Sequence, residues 1–310
     1  VKGYETDRME ELLEQAGYEV VAFTDVADGY GIHTCSVTNM ADRKSRQMIH
    51  RAKKKNPHAN VGAAGCYVQT STEEVLADLA VDIVIGNNEN NHLGGRIAEC
   101  EAKNPTSLAW GAKKSADAGA VEEKVVDCVD INQDGQDYEY FLVNKTAEHT
   151  RAFIKVQDGC NQFCSYCIIP YARGGVRSRA IEDVVKEVEG LAKSGYREVV
   201  LTGIHLSSYG LIENYNSGFE HNHLLELIEA VAKVQGIDRI RLGSLEPQII
   251  TEAFASRLAK VDKICPHFHL SLQSGCDATL KRMNRKYTAA EYEAGCAMHS
   301  KYFDEPAIKT

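Results

Sequence analysis

The segment Gly159-Cys160-Asn161-Gln162-Phe163-Cys164-Ser165-Tyr166-Cys167 places three cysteines in CxxxCxxC spacing directly after the apolar run 152–157. A cubane iron–sulfur cluster takes four thiolate ligands, so three close thiols leave one iron open to another ligand. Zinc signatures instead pair their ligands as two separated knuckles that close a tetrahedron. The spacing therefore favours a cluster with an open iron. A zinc knuckle completed by a distant histidine and three unrelated buried thiols are the alternatives.

Strand and helix signals alternate around this loop, as they do in parallel sheets covered by helices. Strands are predicted at 152–157, 198–202, 239–243, 267–273 and 306–310, and helices at 181–193, 224–234, 249–258 and 289–302. Such a repeat is typical of a β/α barrel, whose functional residues lie at the carboxyl ends of the strands. The repeat stops with an edge strand unpaired, so we expect a partial barrel that is truncated at its C-terminus.

The first 90 residues show a similar alternation. Helices are predicted at 5–16, 37–55 and 72–79, the last capped by Thr72, and strands at 19–23, 31–34, 61–65 and 81–85. This pattern predicts an α/β fold with an open parallel sheet. Cys35 and Cys66 each follow a predicted strand, at the edge where open α/β sheets bind their ligands. The unpatterned segment 101–124 is predicted to be a linker between two domains, 1–125 and 126–310.

The composition is that of a globular protein, with 44% hydrophobic and 25% charged residues in a chain of 310. No apolar run approaches the roughly 18 residues that span a bilayer, and the first residues contain no apolar signal core. Ten scattered cysteines without a secretion signal favour a reduced compartment over a disulfide framework. We therefore expect a cytoplasmic monomer that does not enter membranes.

Basic side chains cluster locally although the net charge is −9. Seven lie between Arg43 and Lys55 with no acid among them, and a second cluster is formed by Lys281, Arg282, Arg285 and Lys286. Local potential, more than net charge, decides whether a phosphate backbone is attracted. Both clusters are therefore candidates for nucleic-acid binding, and a solvated helix face is the simpler alternative for either one.

The cysteine loop that follows the first strand of the β/α repeat, with Tyr166 just before the third cysteine, resembles the radical S-adenosylmethionine enzymes. In that superfamily S-adenosylmethionine chelates the open iron, and one-electron reduction cleaves it to methionine and a 5′-deoxyadenosyl radical. The resemblance implies that Cys160, Cys164 and Cys167 hold a 4Fe-4S cluster. It further implies that Tyr166 contacts the adenine of S-adenosylmethionine and that Gly203 lies near its amino end. Its ribose and methionine side would be lined by Ser244, Glu246 and Gln273. Polar capping of strand ends is the alternative for the last four.

The N-terminal half is similar to the methylthiotransferase domain that precedes the radical module in one subfamily. The similarity lies in Thr34-Cys35-Ser36-Val37-Thr38-Asn39, in Ala41-Asp42-Arg43-Lys44-Ser45-Arg46-Gln47 and in Gly65-Cys66-Tyr67. It implies an auxiliary 4Fe-4S cluster held by Cys35, Cys66 and a third cysteine that would stand just before Val1. We therefore expect this cluster to be incomplete in the present chain. We also expect the chain to lack the basic RNA-binding domain that follows the barrel in this family.

The details are closest to the branch that acts on threonylcarbamoyladenosine in tRNA. The resemblance implies transfer of a methylthio group to C2 of that base beside the anticodon. The expected partners are the tRNA anticodon stem-loop and a reductant such as flavodoxin or ferredoxin. The alternatives are a methylthiotransferase acting on isopentenyladenosine, an electron-transfer iron–sulfur protein, and a noncatalytic RNA-binding module with a structural zinc.

Two further groups of residues are assigned from the pattern. Arg173, Arg177 and Arg179 follow the cysteine loop, and we favour contact with RNA phosphates over pairing with acids such as Glu182 and Asp183. The remaining cysteines follow no ligand spacing and are predicted to be small buried hydrophobic residues: Cys100, Cys128, Cys265, Cys276 and Cys296.

Overall fold

The computed structural model describes residues 1–103, 123–133, 137–139, 150–211 and 223–310, so most of the predicted linker at 101–124 lies outside the described residues. The chain folds into two compact units. The sheet unit comprises Arg8–Phe141 and Tyr171–Arg173, and the barrel unit comprises Val1–Asp7, Leu142–Pro170 and Gly174–Thr310. The domain division predicted at residues 125 and 126 stays a prediction.

The sheet unit contains four parallel strands in the order β1-β2-β3-β4. They are β1 (Gly29–Thr34), β2 (Asn60–Gly65), β3 (Ile83–Ile85) and β4 (Val125–Asp127). The helices are α1 (Lys2–Gln15, whose first residues belong to the barrel unit), α2 (Asn39–Lys55), α3 (Cys66–Thr70), α4 (Thr72–Ala77) and α5 (Leu93–Lys103). Val61 and Val84, on the two central strands, are fully buried, as expected for a parallel sheet covered by helices.

Helix α2 shows how the sequence sets this unit's layers. It begins after Thr38, whose side chain accepts a hydrogen bond from the amide of Ala41, and it buries Ser45, Ile49 and Ala52. Because these three positions share one helical face, the basic side chains between them are turned to the other faces.

The barrel unit is built on a sheet in the order β6-β5-β7-β8. Its strands are β5 (Ala152–Asp158), β6 (Arg177–Ser178), β7 (Glu198–Gly203), β8 (Arg239–Leu242), β9 (His267–His269) and β10 (Ala307–Lys309). β5, β7 and β8 are parallel and β6 is antiparallel to β5, while β9 and β10 form a parallel pair. Single bridges at Ile240 with Ile264 and Leu245 with Leu270 continue the order from β8 toward β9.

The helices of the barrel unit are α6 (Ile169–Arg173, whose last three residues belong to the sheet unit), α7 (Ile181–Lys193), α8 (Leu224–Ala232), α9 (Glu252–Leu258), α10 (Asp277–Arg282) and α11 (Ala289–Tyr302). Ile154, Leu201 and Ile228 are fully buried at the centre of its core. The expected fold class, an α/β chain with an open parallel sheet and a partial β/α barrel, is confirmed. Within the described ranges, none of the helices combines the length and apolar composition that a membrane span requires.

Several predicted elements are corrected. No strand forms at 19–23, where Val20 and Val21 are 40% and 44% exposed, because β-branched residues favour a strand only when a sheet face packs against them. Thr72 is the first residue of α4 rather than its cap, and its hydroxyl donates to the carbonyl of Val68 instead. Six short or weakly patterned elements were not predicted from the sequence, namely α3, α5, α6, α10, β4 and β6.

Candidate functional site

The cysteine loop leaves the carboxyl end of β5 through a turn that only glycine fits. Gly159 has φ of +69°, and a Cβ at this position would lie 1.8 Å from the carbonyl oxygen of Gly175. Asp158 Oδ1 accepts a hydrogen bond of 2.8 Å from the Gly159 amide, and the Cys160 amide donates to the carbonyl of Gly174 at 3.0 Å. Residues other than glycine therefore cannot adopt the backbone conformation with which the loop begins.

The structure brings the three thiols of this loop into a sheltered place. Cys160 and Cys164 are each 8% exposed and Cys167 is half-buried. Burial raises the pKa of Cys160 to about 12 and also raises the pKa of Cys167. Since metals bind thiolates, loading this site releases protons.

The three loop sulfurs are not grouped as closely as the ligands of a single zinc ion. Sulfurs bound to one tetrahedral zinc at roughly 2.3 Å lie about 3.8 Å apart. Among the described residues, three ligand atoms within 4.8 Å of one another are found at Glu89, His92 and Asp127 and not at the three thiols.

A distant segment of the barrel unit holds the loop. The amide of Ser165 donates to the carbonyl of Met283 at 3.1 Å, and Asn284 Nδ2 donates to the carbonyl of Phe163 at 2.8 Å. Phe163 itself has φ of +47°, a left-handed conformation that costs energy in a residue other than glycine. The hydrogen bond from Asn284 thus maintains a strained backbone between the first two cysteines.

Arg285, in the same segment, contacts a cysteine of the loop. Its Nη1 lies 3.3 Å from Cys164 Sγ, and its Nη2 forms an ion pair with Glu246 Oε1. Burial would lower the pKa of Arg285, but Glu246 and Cys164 raise it above its ordinary value. The charge pattern of the sequence had grouped Arg285 with the RNA-binding candidates. Its side chain is only 7% exposed, so that assignment is wrong for this residue.

Glu246 lies behind Arg285 and is 6% exposed. Burial would raise the pKa of Glu246, but His205 and Arg285 lower it below its ordinary value. His205 Nε2 is 3.6 Å from the Glu246 carboxylate, and its Nδ1 is 2.6 Å from Ser208 Oγ. Glu246 is therefore an ionised carboxylate between two cationic or hydrogen-bonding partners.

The other residues predicted to contact S-adenosylmethionine lie at strand ends of the barrel unit. Gly203 ends β7, and a Cβ there would lie 2.8 Å from Gln157 Oε1, so the position excludes a side chain. Ser244 and Gln273 are exposed beyond β8 and β9, and Tyr166 is 52% exposed in the cysteine loop. The Gln273 amide donates to the Tyr287 hydroxyl, and Arg285 lies over the ring of that tyrosine at 5.1 Å.

The second cysteine pair lies at one edge of the sheet unit. Thr34 and Gly65 are opposite one another in the β1–β2 register, so Cys35 and Cys66 are the first residues after the ends of two neighbouring strands. Cys66 is 4% exposed and receives a hydrogen bond from Asn87 Nδ2 at 3.5 Å, while the Cys35 amide donates to Ser45 Oγ at 3.4 Å. The fold thus brings these two thiols to a common edge, and Asn87 is a contact that no sequence pattern indicated.

The arginines after the loop are not available for RNA. Arg173, Arg177 and Arg179 are 4%, 8% and 2% exposed. Arg179 forms an ion pair with Glu187, and Arg177 lies 3.8 Å from Asp158. The assignment to RNA phosphates is therefore corrected in favour of internal pairing, although with different acids from those expected.

The remaining cysteines divide by burial. Cys100 and Cys265 are buried as expected, and Cys128 and Cys296 are partly buried. Cys276 is exposed, so the prediction of a buried hydrophobic residue is wrong there. It precedes α10 as the cap residue, a position that stays at the surface.

Two family models match this chain. One is the uncharacterized protein family UPF0004 at residues 1–86, and the other is the radical SAM superfamily at residues 154–307. Two relatives named threonylcarbamoyladenosine tRNA methylthiotransferase MtaB are similar over most of the chain. The protein from Aquifex aeolicus is 41% identical over 94% of this chain and 64% of its own length, and that from Bacillus subtilis is 40% identical over 93% and 58%.

A relative from Thermodesulfovibrio yellowstonii, named tRNA-2-methylthio-N(6)-dimethylallyladenosine synthase, is 31% identical over 93% of this chain and 61% of its own length. The chain thus spans about three fifths of the length of these curated relatives. Among solved structures, the radical S-adenosylmethionine methyltransferase TsrM from Kitasatospora setae, with cobalamin and a [4Fe-4S] cluster bound, matches with a TM-score of 0.62. At 16% identity over 96% of this chain and 62% of that one, this likeness shows the fold alone. The chain thus contains one segment that matches the UPF0004 model and one that matches the radical SAM superfamily model, and it is similar over most of its length to relatives named as tRNA methylthiotransferases.

Proposed function

We propose that this chain acts in a tRNA methylthiotransferase that adds a methylthio group to C2 of N6-threonylcarbamoyladenosine beside the anticodon. The observation that supports this most is the graded identity. Relatives named for threonylcarbamoyladenosine are 41%, 40%, 32% and 34% identical, whereas relatives named for dimethylallyladenosine are 31% or 32% identical over a similar share of the chain. The two highest identities favour the first substrate.

In this proposal Cys160, Cys164 and Cys167 would hold the 4Fe-4S cluster, and S-adenosylmethionine would bind beside it. When bound, the two supply a radical able to remove hydrogen from an unactivated aromatic carbon, for which acid–base catalysis has little to offer. The chain supplies shelter, because two of the three thiols are more than nine-tenths buried. The Gly159 turn and the hydrogen bonds from the 283–284 segment keep the loop in place.

The exposed strand ends of the barrel unit provide room for the cofactor. Tyr166 offers a half-exposed ring for the adenine, and Gly203 allows close approach of the amino end. Ser244 and Gln273 offer exposed polar groups to the ribose and methionine side. Glu246 is engaged by Arg285 and His205, so its contribution is to anchor those side chains at the same end of the barrel.

Cys35 and Cys66 are assigned as two ligands of the auxiliary cluster that delivers sulfur, and the common edge at which they lie supports this. A flavodoxin or ferredoxin is the proposed electron donor for a monomeric, cytoplasmic enzyme. The tRNA backbone is assigned to exposed basic side chains on α2 and near α10, namely Arg43, Lys44, Arg46, Arg51, Lys54, Lys281, Arg282 and Lys286. The target base is splayed from the anticodon loop, as single RNA bases are when proteins act on them.

The first experiment counts iron and sulfide in anaerobically reconstituted protein. We expect about four irons per chain, because one cluster has its three cysteines here. Addition of S-adenosylmethionine should change the electron paramagnetic resonance (EPR) spectrum of the reduced cluster. Cys160→Ala should lose the iron, whereas Cys265→Ala, which removes an equally buried thiol outside the loop, should keep it. Zinc without iron, or a spectrum indifferent to S-adenosylmethionine, would contradict the proposal.

The second experiment identifies the base. A form of the enzyme that contains both clusters is incubated with tRNA bearing threonylcarbamoyladenosine or isopentenyladenosine, and the nucleosides are analysed by mass spectrometry after digestion. We expect the methylthio product only from the threonylcarbamoyl base. A product confined to the isopentenyl base would refute the substrate assignment and leave the cluster assignment intact.

A further inference from the structure

Arg285 is the one part of the Lys281–Lys286 basic cluster that is turned into the cysteine site. The neighbouring Lys281, Arg282 and Lys286 are exposed, but the Arg285 side chain is only 7% exposed. It is separated from Cys164 by 121 positions in the chain, yet its Nη1 lies 3.3 Å from the Sγ of that cysteine. Neither motif nor spacing relates these two residues.

The two ends of the guanidinium have different partners. Nη2 is bound by the buried carboxylate of Glu246, which keeps the planar group in one orientation. Nη1 is then directed to the sulfur. The ring of Tyr287 lies 5.1 Å from the guanidinium carbon and adds a cation–π contact. A side chain held on three sides is a preorganised donor, because little conformational freedom remains to be lost when it binds an anion.

One buried donor of Arg285 has no hydrogen-bond partner within the part of the chain that the structure describes. That donor is Nε. Buried N–H groups without an acceptor are uncommon and ask for an explanation. A bound cluster would bring an anionic acceptor, because its sulfide and thiolate sulfurs carry negative charge. Such an acceptor would receive a hydrogen bond from Nε and balance the positive charge of the guanidinium.

We propose that Arg285 is a positioning residue of the cluster site, which holds Cys164 by an N–H···S hydrogen bond and raises the reduction potential of the bound 4Fe-4S cluster. This rests on the proposed assignment of Cys160, Cys164 and Cys167 as cluster ligands. Hydrogen bonds to the sulfurs, net charge and solvent exposure set the potential of such clusters. One-electron reduction adds a negative charge to the cluster, and a fixed cation in contact with a ligand sulfur stabilises the reduced form more than the oxidised form.

Glu246 limits the size of the effect. Its carboxylate neutralises part of the arginine charge, so the cluster experiences an ion pair whose positive end is nearer. Only the difference in this interaction between the two oxidation states changes the potential. We therefore expect about a tenfold change in the ratio of reduced to oxidised cluster, which corresponds to about 59 mV for a one-electron couple.

The test is a redox titration of reconstituted protein followed by EPR. The cluster under study is the one whose signal changes when S-adenosylmethionine is added, and dithionite with mediators supplies the electrons. Arg285→Gln should keep its iron but show a midpoint potential more negative by about 59 mV. Arg282→Gln is the matched control, since it removes an exposed arginine of the same segment, and it should leave the potential unchanged.

Three outcomes separate the inference from its premise. If the wild-type protein holds no cluster, the proposed function itself is refuted. A wild-type cluster with the same potential in Arg285→Gln, or an equal change in Arg282→Gln, overturns the role of Arg285 alone. If Arg285→Gln does not load iron, Arg285→Lys is measured instead. One ammonium group cannot keep both the Cys164 and the Glu246 contacts, so the potential of this variant should differ from that of the wild type. A wild-type potential in Arg285→Lys therefore also overturns the inference.

Discussion

Replacing Lys155 by methionine tests the buried charge network at the end of β5. Lys155 is 1% exposed, and its Nζ lies 2.6 Å from Glu5 Oε1 and 2.6 Å from Asp158 Oδ2. Arg177 is 3.8 Å from the same Asp158 oxygen. The network therefore pairs two carboxylates with two cations in a place that water does not reach, and Lys155 is the cation closest to both acids.

Lys155→Met removes that cation and leaves both buried carboxylates in place. Breaking a buried ion pair on one side costs about 3 to 5 kcal/mol, because the remaining charge stays desolvated. We expect a loss of this size in the free energy of opening of the barrel unit. The double variant Lys155→Met with Glu5→Gln should recover part of it, since only one of the two carboxylates that Lys155 contacts then remains charged.

The measurement is native-state hydrogen exchange of peptides from β5 and β7, which reports the opening of the barrel unit by itself. Lys260→Met is the control, because Lys260 is exposed on the same unit and such substitutions stay within about 0.5 kcal/mol. A loss below about 1 kcal/mol, or one indifferent to Glu5→Gln, would refute the reasoning.

Two further predictions concern positions away from that network. His299 is fully buried against Phe268, with ring centroids 4.0 Å apart, and burial lowers the pKa of His299 to about 4. The unfolded chain takes up a proton near pH 6.5, so stability is retained above that pH and falls by about 2 kcal/mol at pH 5. His299→Phe should remove this pH dependence in urea unfolding, and an unchanged dependence would contradict the assignment. Gly159→Ala should lose iron because its Cβ would overlap the Gly175 carbonyl, whereas Gly195→Ala, also at positive φ but with no atom within 4 Å, should keep its iron content.

Local patterns were sufficient where the signal lies within a few neighbouring residues. Helices α7 and α11 begin and end where they were predicted. For α7 the reason is that a helix buries one face at a regular spacing that its sequence displays. Patterns failed where a partner decides the outcome. The run at 19–23 has strand composition, yet it forms no strand. The short helices α3 and α10 escaped notice because five or six residues are too few to show a period.

At the cysteine loop, too, some features were evident from neighbouring residues and others were decided by tertiary contacts. The spacing of Cys160, Cys164 and Cys167 was enough to indicate a cluster with an open iron, since three ligands on one loop are a local property of the chain. The place of Arg285 was decided only by tertiary structure, because 121 residues separate it from Cys164 and both of its polar partners come from other parts of the barrel unit. From the sequence alone, Arg285 was predicted to be one of four surface cations that bind RNA. Burial and the Glu246 carboxylate, which follows β8, instead place its guanidinium beside the sulfur of Cys164.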